Sequence, residues 1–371
     1  LKIAIVSVLK PLDDIRHYQK IGLSLSKIPH AQVHIIARDT TYELTENVRN
    51  VFFHSLQPVS PTLIERFFST FRILGLLLKI KPNFIVACTQ ELLFISVLSK
   101  FLFGSKLVYD IQENYAANTK ASSKGNPVFR QLLATWIRAK ENLLSHFIDK
   151  FWLAEKCYTQ ELKFLKNNYL ILENKSLEFR RVNKIQLASK PLIHILFSGT
   201  LAVETGILEA LELTEALHNL DSRYRLKIIG CCHQKDILKK LSETTKQQPY
   251  IDLKVSKCPL SHQEIQEEIF ISDLAIISNR LASHIQNKYP TKLYEYMTAG
   301  LPLLLQKNEP WTALCHEFEN HVSVDYQKLN PIEIHEAIQN MVFYPNGNLN
   351  AKKHTWQFAE EKILTDCLTR L

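Results

Sequence analysis

Short runs of β-branched and apolar residues recur along the whole chain, each followed by a stretch whose apolar residues fall three and four apart. That alternation restricts the chain to βαβ units around parallel sheets. Strands are expected in the first half at residues 2–8, 32–38, 51–54, 83–88, 106–110, 148–154 and 169–172, with helices at 14–28, 62–79, 92–103, 127–145 and 155–165. A second series has strands at 192–197, 225–229, 251–255, 274–277 and 303–305. Between 177 and 190 basic and polar residues dominate without an apolar period, which marks a linker. A chain of 371 residues exceeds what one core usually supports, so two domains are expected, 1–176 and 191–350, followed by a tail, 351–371. The tail reads as a helix from 354, with Thr355 as N-cap and Trp356, Phe358, Ile363 and Leu364 for packing. Two doubly wound sheets of similar build imply a cleft, with ligands at the carboxyl ends of the strands.

The longest apolar stretches, 67–80 and 91–103, are interrupted by Arg72, Lys79 and Lys100 and fall short of the ~20 residues a spanning helix needs. The opening Leu1-Lys2-Ile3-Ala4-Ile5-Val6 has the look of a buried strand and lacks the order of a signal peptide, so a cytoplasmic protein is expected. Seven cysteines lie scattered with no C-x-x-C pair, which suits buried small hydrophobes better than zinc or redox work. The net charge of +8 is uneven: residues 1–175 hold 23 Lys+Arg against 14 Asp+Glu, and the remainder 22 against 23. A basic first half suits an anionic membrane surface or a phosphorylated acceptor, or is simply solvated. Nucleic acid is not supported, because no arginine-rich or RNA-recognition motif accompanies the charge. The stretch 61–81 sets Phe67, Phe68 and Phe71 beside Arg66, Arg72, Lys79 and Lys81, as in a helix lying on an anionic membrane, and Phe129, Arg130, Trp136 and Arg138 could extend that surface.

The segment with most chemistry runs from Tyr289 to Pro302. Pro290 suits the first helical position and Gly300 with Pro302 the stop. The opening amides of Thr291, Lys292 and Leu293 then have no intrahelical acceptor and sit at the positive end of the helix dipole, a ready phosphate site to which Lys292 adds a full charge. Glu295, four residues after Thr291, shares its face about 6 Å along the axis, and a carboxylate there matches the two hydroxyls of a ribose. A surface ion pair for Glu295 and a solvated Lys292 are the plain alternative.

Pro290-Thr291-Lys292-Leu293-Tyr294-Glu295-Tyr296-Met297 with Gly300-Leu301-Pro302 resembles the nucleotide-sugar segment of glycosyltransferase family 4, the group 1 glycosyltransferases of GT-B fold. Three other segments agree in order and spacing: Asp14-Ile15-Arg16 with Lys20, Val108-Tyr109-Asp110-Ile111-Gln112-Glu113, and Ile195-Leu196-Phe197-Ser198-Gly199-Thr200-Leu201. The resemblance implies two Rossmann-like domains facing a central cleft, the C-terminal one holding the nucleotide-sugar and the N-terminal one the acceptor, with the last helix crossing back to the N-terminal domain. It implies retaining transfer from a UDP- or GDP-sugar without metal or cofactor, as in bacterial cell-surface polysaccharide or glycolipid synthesis, to a saccharide or lipid-linked acceptor. Glu295 takes the ribose-holding place of an E-x7-E element whose first glutamate is here Asn287.

Where many members carry a phosphate-binding arginine and lysine, this chain has Thr200 and Thr205, so Lys292, Arg280 and Lys288 are the nearest cations in sequence. The donor site is thus expected to comprise Gly199, Thr200, Arg280, Asn287, Thr291, Lys292, Leu293 and Glu295, with base contacts near 253–260. In the first half, Asp110 and Glu113 are the candidate proton acceptors, each alternatively a helix cap. Arg16, Lys20, Gln112 and Asn114 are expected to meet the acceptor, Gln112 standing at a histidine position and Arg16 alternatively pairing with Asp13 or Asp14. Asn174 is expected to bond backbone at the interdomain crossover. A GT-B-like nucleotide-sugar epimerase and a catalytically degenerate partner subunit are the rival readings.

Overall fold

The structure, a computed structural model, describes residues 1–371 except 41–47, 58–62, 123–124, 257, 259 and 283–284, and the side chains of 63, 64 and 369. The expected helix start at 62 and two residues of the 253–260 stretch fall outside the described residues. The chain divides into two compact units, Leu1–Asn174 with Trp356–Leu371, and Lys175–Thr355.

The first unit is built on seven parallel strands: β1 (Lys2–Pro11), β2 (Gln32–Arg38), β3 (Val51–Ser55), β4 (Phe84–Ala87), β5 (Lys106–Ile111), β6 (Lys150–Leu153) and β7 (Tyr169–Ile171). Their order across the sheet is β3-β2-β1-β4-β5-β6-β7. Residues 3–6 of β1 are buried on both faces, as a strand covered by helices requires. Ile5 pairs with Ile35 on one side and Val86 on the other. The second unit has six parallel strands, β8 (Ile193–Thr200), β9 (Tyr224–Cys231), β10 (Ile251–Ser256), β11 (Leu274–Ile277), β12 (Leu303–Gln306) and β13 (His321–Val324), in the order β10-β9-β8-β11-β12-β13. In both sheets the strand order reverses beside the first strand, next to β1 and next to β8. Such switch points open a crevice at the strands' carboxyl ends, where ligands of open α/β sheets bind.

Three elements differ from the sequence expectation. The helix expected over 14–28 begins as a wide π-helical segment, Ile15–Gly22, capped by Asp14, and only Leu23–Ser26 is α-helical. The helix expected over 155–165 breaks into Tyr158–Glu161 and a 3-10 turn, Lys163–Leu165, because Leu162, Phe164 and Leu165 all turn into the core. The tail forms two helices, Trp356–Ala359 and Glu361–Arg370; the Thr355 hydroxyl donates to Lys352 O at 2.8 Å instead of capping them. Trp356 and Leu364 are buried as expected, but Phe358 and Ile363 are exposed. Trp356 Nε1 donates to Ser24 Oγ at 2.9 Å, which fastens the tail to the first unit.

Residues 177–190 lie on the second unit: Ile185 and Phe343 exchange both backbone hydrogen bonds, and Leu187 is fully buried in that unit's core. All seven cysteines are free thiols, four of them buried. Among the described residues no helix is long and apolar enough to cross a membrane.

Candidate nucleotide-sugar site and the buried polar network

In the second unit the functional geometry gathers where β8 ends. The strand runs through the buried Phe197 and Ser198 to Gly199, whose φ of +94° lies in the region that favours glycine. A Cβ on Gly199 would sit 2.6 Å from Lys292 Cε and 3.1 Å from its Nζ, so the missing side chain is the space the lysine occupies. Lys292 Nζ also stands 4.9 Å over the Phe197 ring, a cation–π arrangement. No carboxylate lies within ion-pair distance of this ammonium among the described residues. Burial lowers its pKa from 10.5 to about 8, against a smaller upward pull from Glu295.

Lys292 is the second residue of the Thr291–Ala299 helix. Pro290, expected as the first helical residue, is the N-cap (φ −57°, ψ 134°), and Gly300 ends the helix in the left-handed conformation. Leu293 N–H donates to Pro290 O at 2.9 Å, so of the three amides expected to be open only those of Thr291 and Lys292 lack an acceptor among the described residues. The helix start is fastened on two sides. Tyr296 OH and Ser198 Oγ share a buried 2.7 Å hydrogen bond to β8, and Trp311 Nε1 donates to Lys288 O at 2.7 Å just before Pro290. Glu295 is partly exposed one turn further on; its backbone carbonyl accepts from Thr298 Oγ1, and its carboxylate has no hydrogen-bond partner among the described residues. Gly199, Thr291, Lys292 and Glu295 thus form one group: two unmatched amides, a partly buried ammonium and a carboxylate on a rigid strand–helix junction. That is the complement of a diphosphate followed by a diol.

Other expected donor residues are held differently. The Thr205 hydroxyl donates to Thr200 O at 2.8 Å and accepts from Ala202 N–H at 3.1 Å, so threonine closes the loop where a lysine was expected to reach phosphate. Thr200 itself is exposed at the strand end. Arg280 pairs with Glu209 at 2.6 Å, its backbone held to Glu204. Asn287 lies exposed in the turn before Pro290.

In the first unit Arg16 and Asp110 form a buried ion pair. Arg16 Nη2 donates to Asp110 Oδ1 at 2.6 Å and Nε to Oδ2 at 2.9 Å, while Nη1 donates to Leu172 O at 2.8 Å and Asn174 Oδ1 at 2.9 Å. Asp110 is wholly buried. Gln112 Nε2 donates to its Oδ2 at 3.0 Å and also meets His17 Nε2. Taken as an acceptor from Gln112, His17 carries its proton on Nδ1, 3.6 Å from Asp14 Oδ1. Burial lowers the His17 pKa, which keeps the ring neutral. Cys88 completes a buried group in which His17, Cys88 and Asp110 each place a ligand-capable atom within 4.8 Å of the others. The Arg16 guanidinium already brings Asp110 the positive charge that a metal would bring, and burial pushes the Cys88 thiol up, away from the thiolate a metal needs.

Asp110, expected as a proton acceptor, is therefore an anchored counter-ion, and Arg16 is engaged inside the unit. Lys20 is also buried, and Asn114 caps the Tyr115–Ala121 helix while bonding Glu161 and Arg138. Glu113 alone of the two carboxylates is exposed, accepting from Asn118 Nδ2 at 3.0 Å.

No protein-family model matches the sequence, and no curated protein does. Solved structures match over the whole chain. Anabaena Alr3699/HepE in complex with UDP and glucose superposes with a TM-score of 0.64 at 13% identity, covering 100% of this chain and 98% of that one. Sucrose-phosphate synthase from Thermosynechococcus elongatus gives 0.68 at 10% identity, covering 100% and 97%. WaaG, a glycosyltransferase involved in lipopolysaccharide biosynthesis, gives 0.59 at 12% identity, covering 100% and 96%. The fold is GT-B.

Within this GT-B chain the sequence reading missed His17, Phe197 and the Ser198–Tyr296 bond. Phe197 had a legible signal, standing two residues before Gly199 in a strand where alternate side chains share a face. His17 had none, because its partner Gln112 is 95 residues away.

Proposed function

We propose that the protein is a glycosyltransferase that takes a sugar from a UDP- or GDP-sugar and passes it to an acceptor hydroxyl. The observation that carries this reading is the Gly199–Lys292–Glu295 group at the switch point of the second sheet, where a cation and two open amides meet one turn from a carboxylate. Thr291 and Lys292 amides with the Lys292 ammonium take the charge of the departing diphosphate, Glu295 holds the ribose, and Asn287 contacts the sugar by hydrogen bond. No cofactor or metal is assigned a part. Transfer with retention follows the family resemblance. Glu113, exposed at the end of β5, is the carboxylate left to receive the acceptor proton, while Asp110 positions that strand end through Arg16. The acceptor is a saccharide or a lipid-linked saccharide of the kind used in cell-surface polysaccharide or glycolipid synthesis, and a lipid-linked one suits the basic first half.

Melting curves with UDP, GDP and ADP test the donor site, since a ligand at 100 times its Kd adds about 2.7 kcal/mol to stability. No shift with any of the three would sink the reading. Incubation of nucleotide-sugar with and without saccharide acceptors then separates transfer from epimerisation, which needs no acceptor.

A further inference from the structure

Three helices of the first unit, Leu63–Ile80, Leu93–Phe103 and Pro127–Leu144, lie side by side. The first two, and the C-terminal end of the third, pack on one face of the sheet through Ile73, Leu77, Val97 and Leu144. Where the side chains of these helices are left out of the core, a charged surface is the ordinary outcome. Here it is apolar: Phe67 and Phe68 on the first helix, Phe101 and Leu102 on the second, and Phe129 and Trp136 on the third are each more than half exposed. At roughly 100 Å² apiece these six alone reach the ~600 Å² that marks the upper end of apolar patches on monomers. Phe67 also meets Phe71 edge-to-face at 5.2 Å, so part of the patch is held as a fixed ridge.

The unpaired charge on these helices is mostly positive. The three helices carry seven Lys and Arg against Glu65 and Glu141; of the seven, Lys140 is buried, Lys100 pairs with Asp149 and Arg138 with the buried Glu141, which leaves Arg66, Arg72, Lys79 and Arg130. Arg72 and Lys79 stand exposed on the first helix, Lys81 just beyond its end and Lys106 at the start of β5. A broad apolar face rimmed by cations matches the interface of an anionic bilayer, where aromatic side chains enter at the acyl boundary and lysines and arginines stay at the headgroups.

We propose that this three-helix face is a docking surface for an anionic membrane. It deepens the lipid-linked acceptor reading by naming a partner, but it is scored without nucleotide or acceptor, so failure of either leaves the other standing.

The experiment is sedimentation of the full chain with vesicles of phosphatidylcholine alone or with 30% phosphatidylglycerol, at 0.1 and 1 M salt. Binding at least tenfold stronger to the anionic vesicles, weakened by salt, is the expected result. Trp136 is the exposed one of four tryptophans, the others being fully buried, so vesicles should shift the emission of the wild type to the blue and leave that of Trp136→Phe unmoved. The double variant Phe101→Asp with Phe129→Asp, whose side chains leave the core untouched, should lose binding at least tenfold at unchanged melting temperature. Equal or absent binding to the two vesicle types overturns the proposal. So does a concentration-dependent dimer in solution that the same double variant dissociates without affecting vesicle binding.

Discussion

If Lys292 meets a diphosphate, its displaced pKa must link nucleotide binding to pH. In the free protein burial holds the ammonium at about 8 instead of 10.5. A bound diphosphate returns counter-charge and drives that pKa upward again. With a free-state value near 8, the protonated fraction falls from about 0.9 at pH 7 to about 0.1 at pH 9, so the affinity for UDP should fall about tenfold, or ~1.4 kcal/mol. UDP completes its own phosphate ionisation below pH 8, which works in the opposite sense and does not produce this fall. Calorimetry at pH 7, 8 and 9 in buffers of different ionisation enthalpy should show the wild type taking up about 0.1 proton per UDP more than Lys292→Met at pH 7, rising toward 0.9 more at pH 9. Lys292→Met should bind more weakly at pH 7 and show only the proton release of UDP itself. Affinity independent of pH in the wild type, or the same fall and uptake in Lys292→Met, would refute the assignment. The linkage with folding has a definite sign. Below pH 8 both folded and unfolded chains hold the Lys292 proton, and between about 8 and 10.5 only the unfolded chain does, so this group's contribution to stability rises with pH across that window. Lys292→Met should accordingly be more stable than wild type at pH 7, by on the order of 1–3 kcal/mol, and lose that advantage above pH 10.

Three further outcomes follow from the same geometry. Glu295→Gln should weaken UDP binding about tenfold or more with little change in melting temperature, yet hardly alter binding of the 2′,3′-dideoxy nucleotide; calorimetry over the four combinations would expose a missing coupling. Gly199→Ala places a methyl 2.6 Å from Lys292 Cε at a φ of +94°, so it should destabilise by about 1–2 kcal/mol and abolish the pH-linked part of UDP binding, read by denaturant melts and the same calorimetry. Asp110→Asn leaves Arg16 buried without its counter-ion and should cost about 3–5 kcal/mol in urea unfolding; Arg16→Lys should not recover the loss, since one ammonium does not reach Asp110, Leu172 O and Asn174 together.

Much of this molecule was legible in its sequence because the relevant physics is local. Alternation of buried strands with amphipathic helices dictated parallel sheets, and Pro290 with Gly300 marked a helix whose start offers amides and Lys292. Helical spacing put Glu295 on the face of Thr291, one turn along from that start. Tertiary structure decided what depends on partners distant in sequence. That Asp110 is an anchor and not an open base rests on Arg16, 94 residues away, and the burial that lowers the Lys292 pKa comes with its place beside Gly199 and over Phe197, which only the β8–helix junction brings together. The apolar runs of 63–80, 93–103 and 127–144 read as core segments or a surface helix one at a time. Only packing on a common sheet face determined which side of each was left over, because burial is set by what lies across from a residue and not by the residue itself.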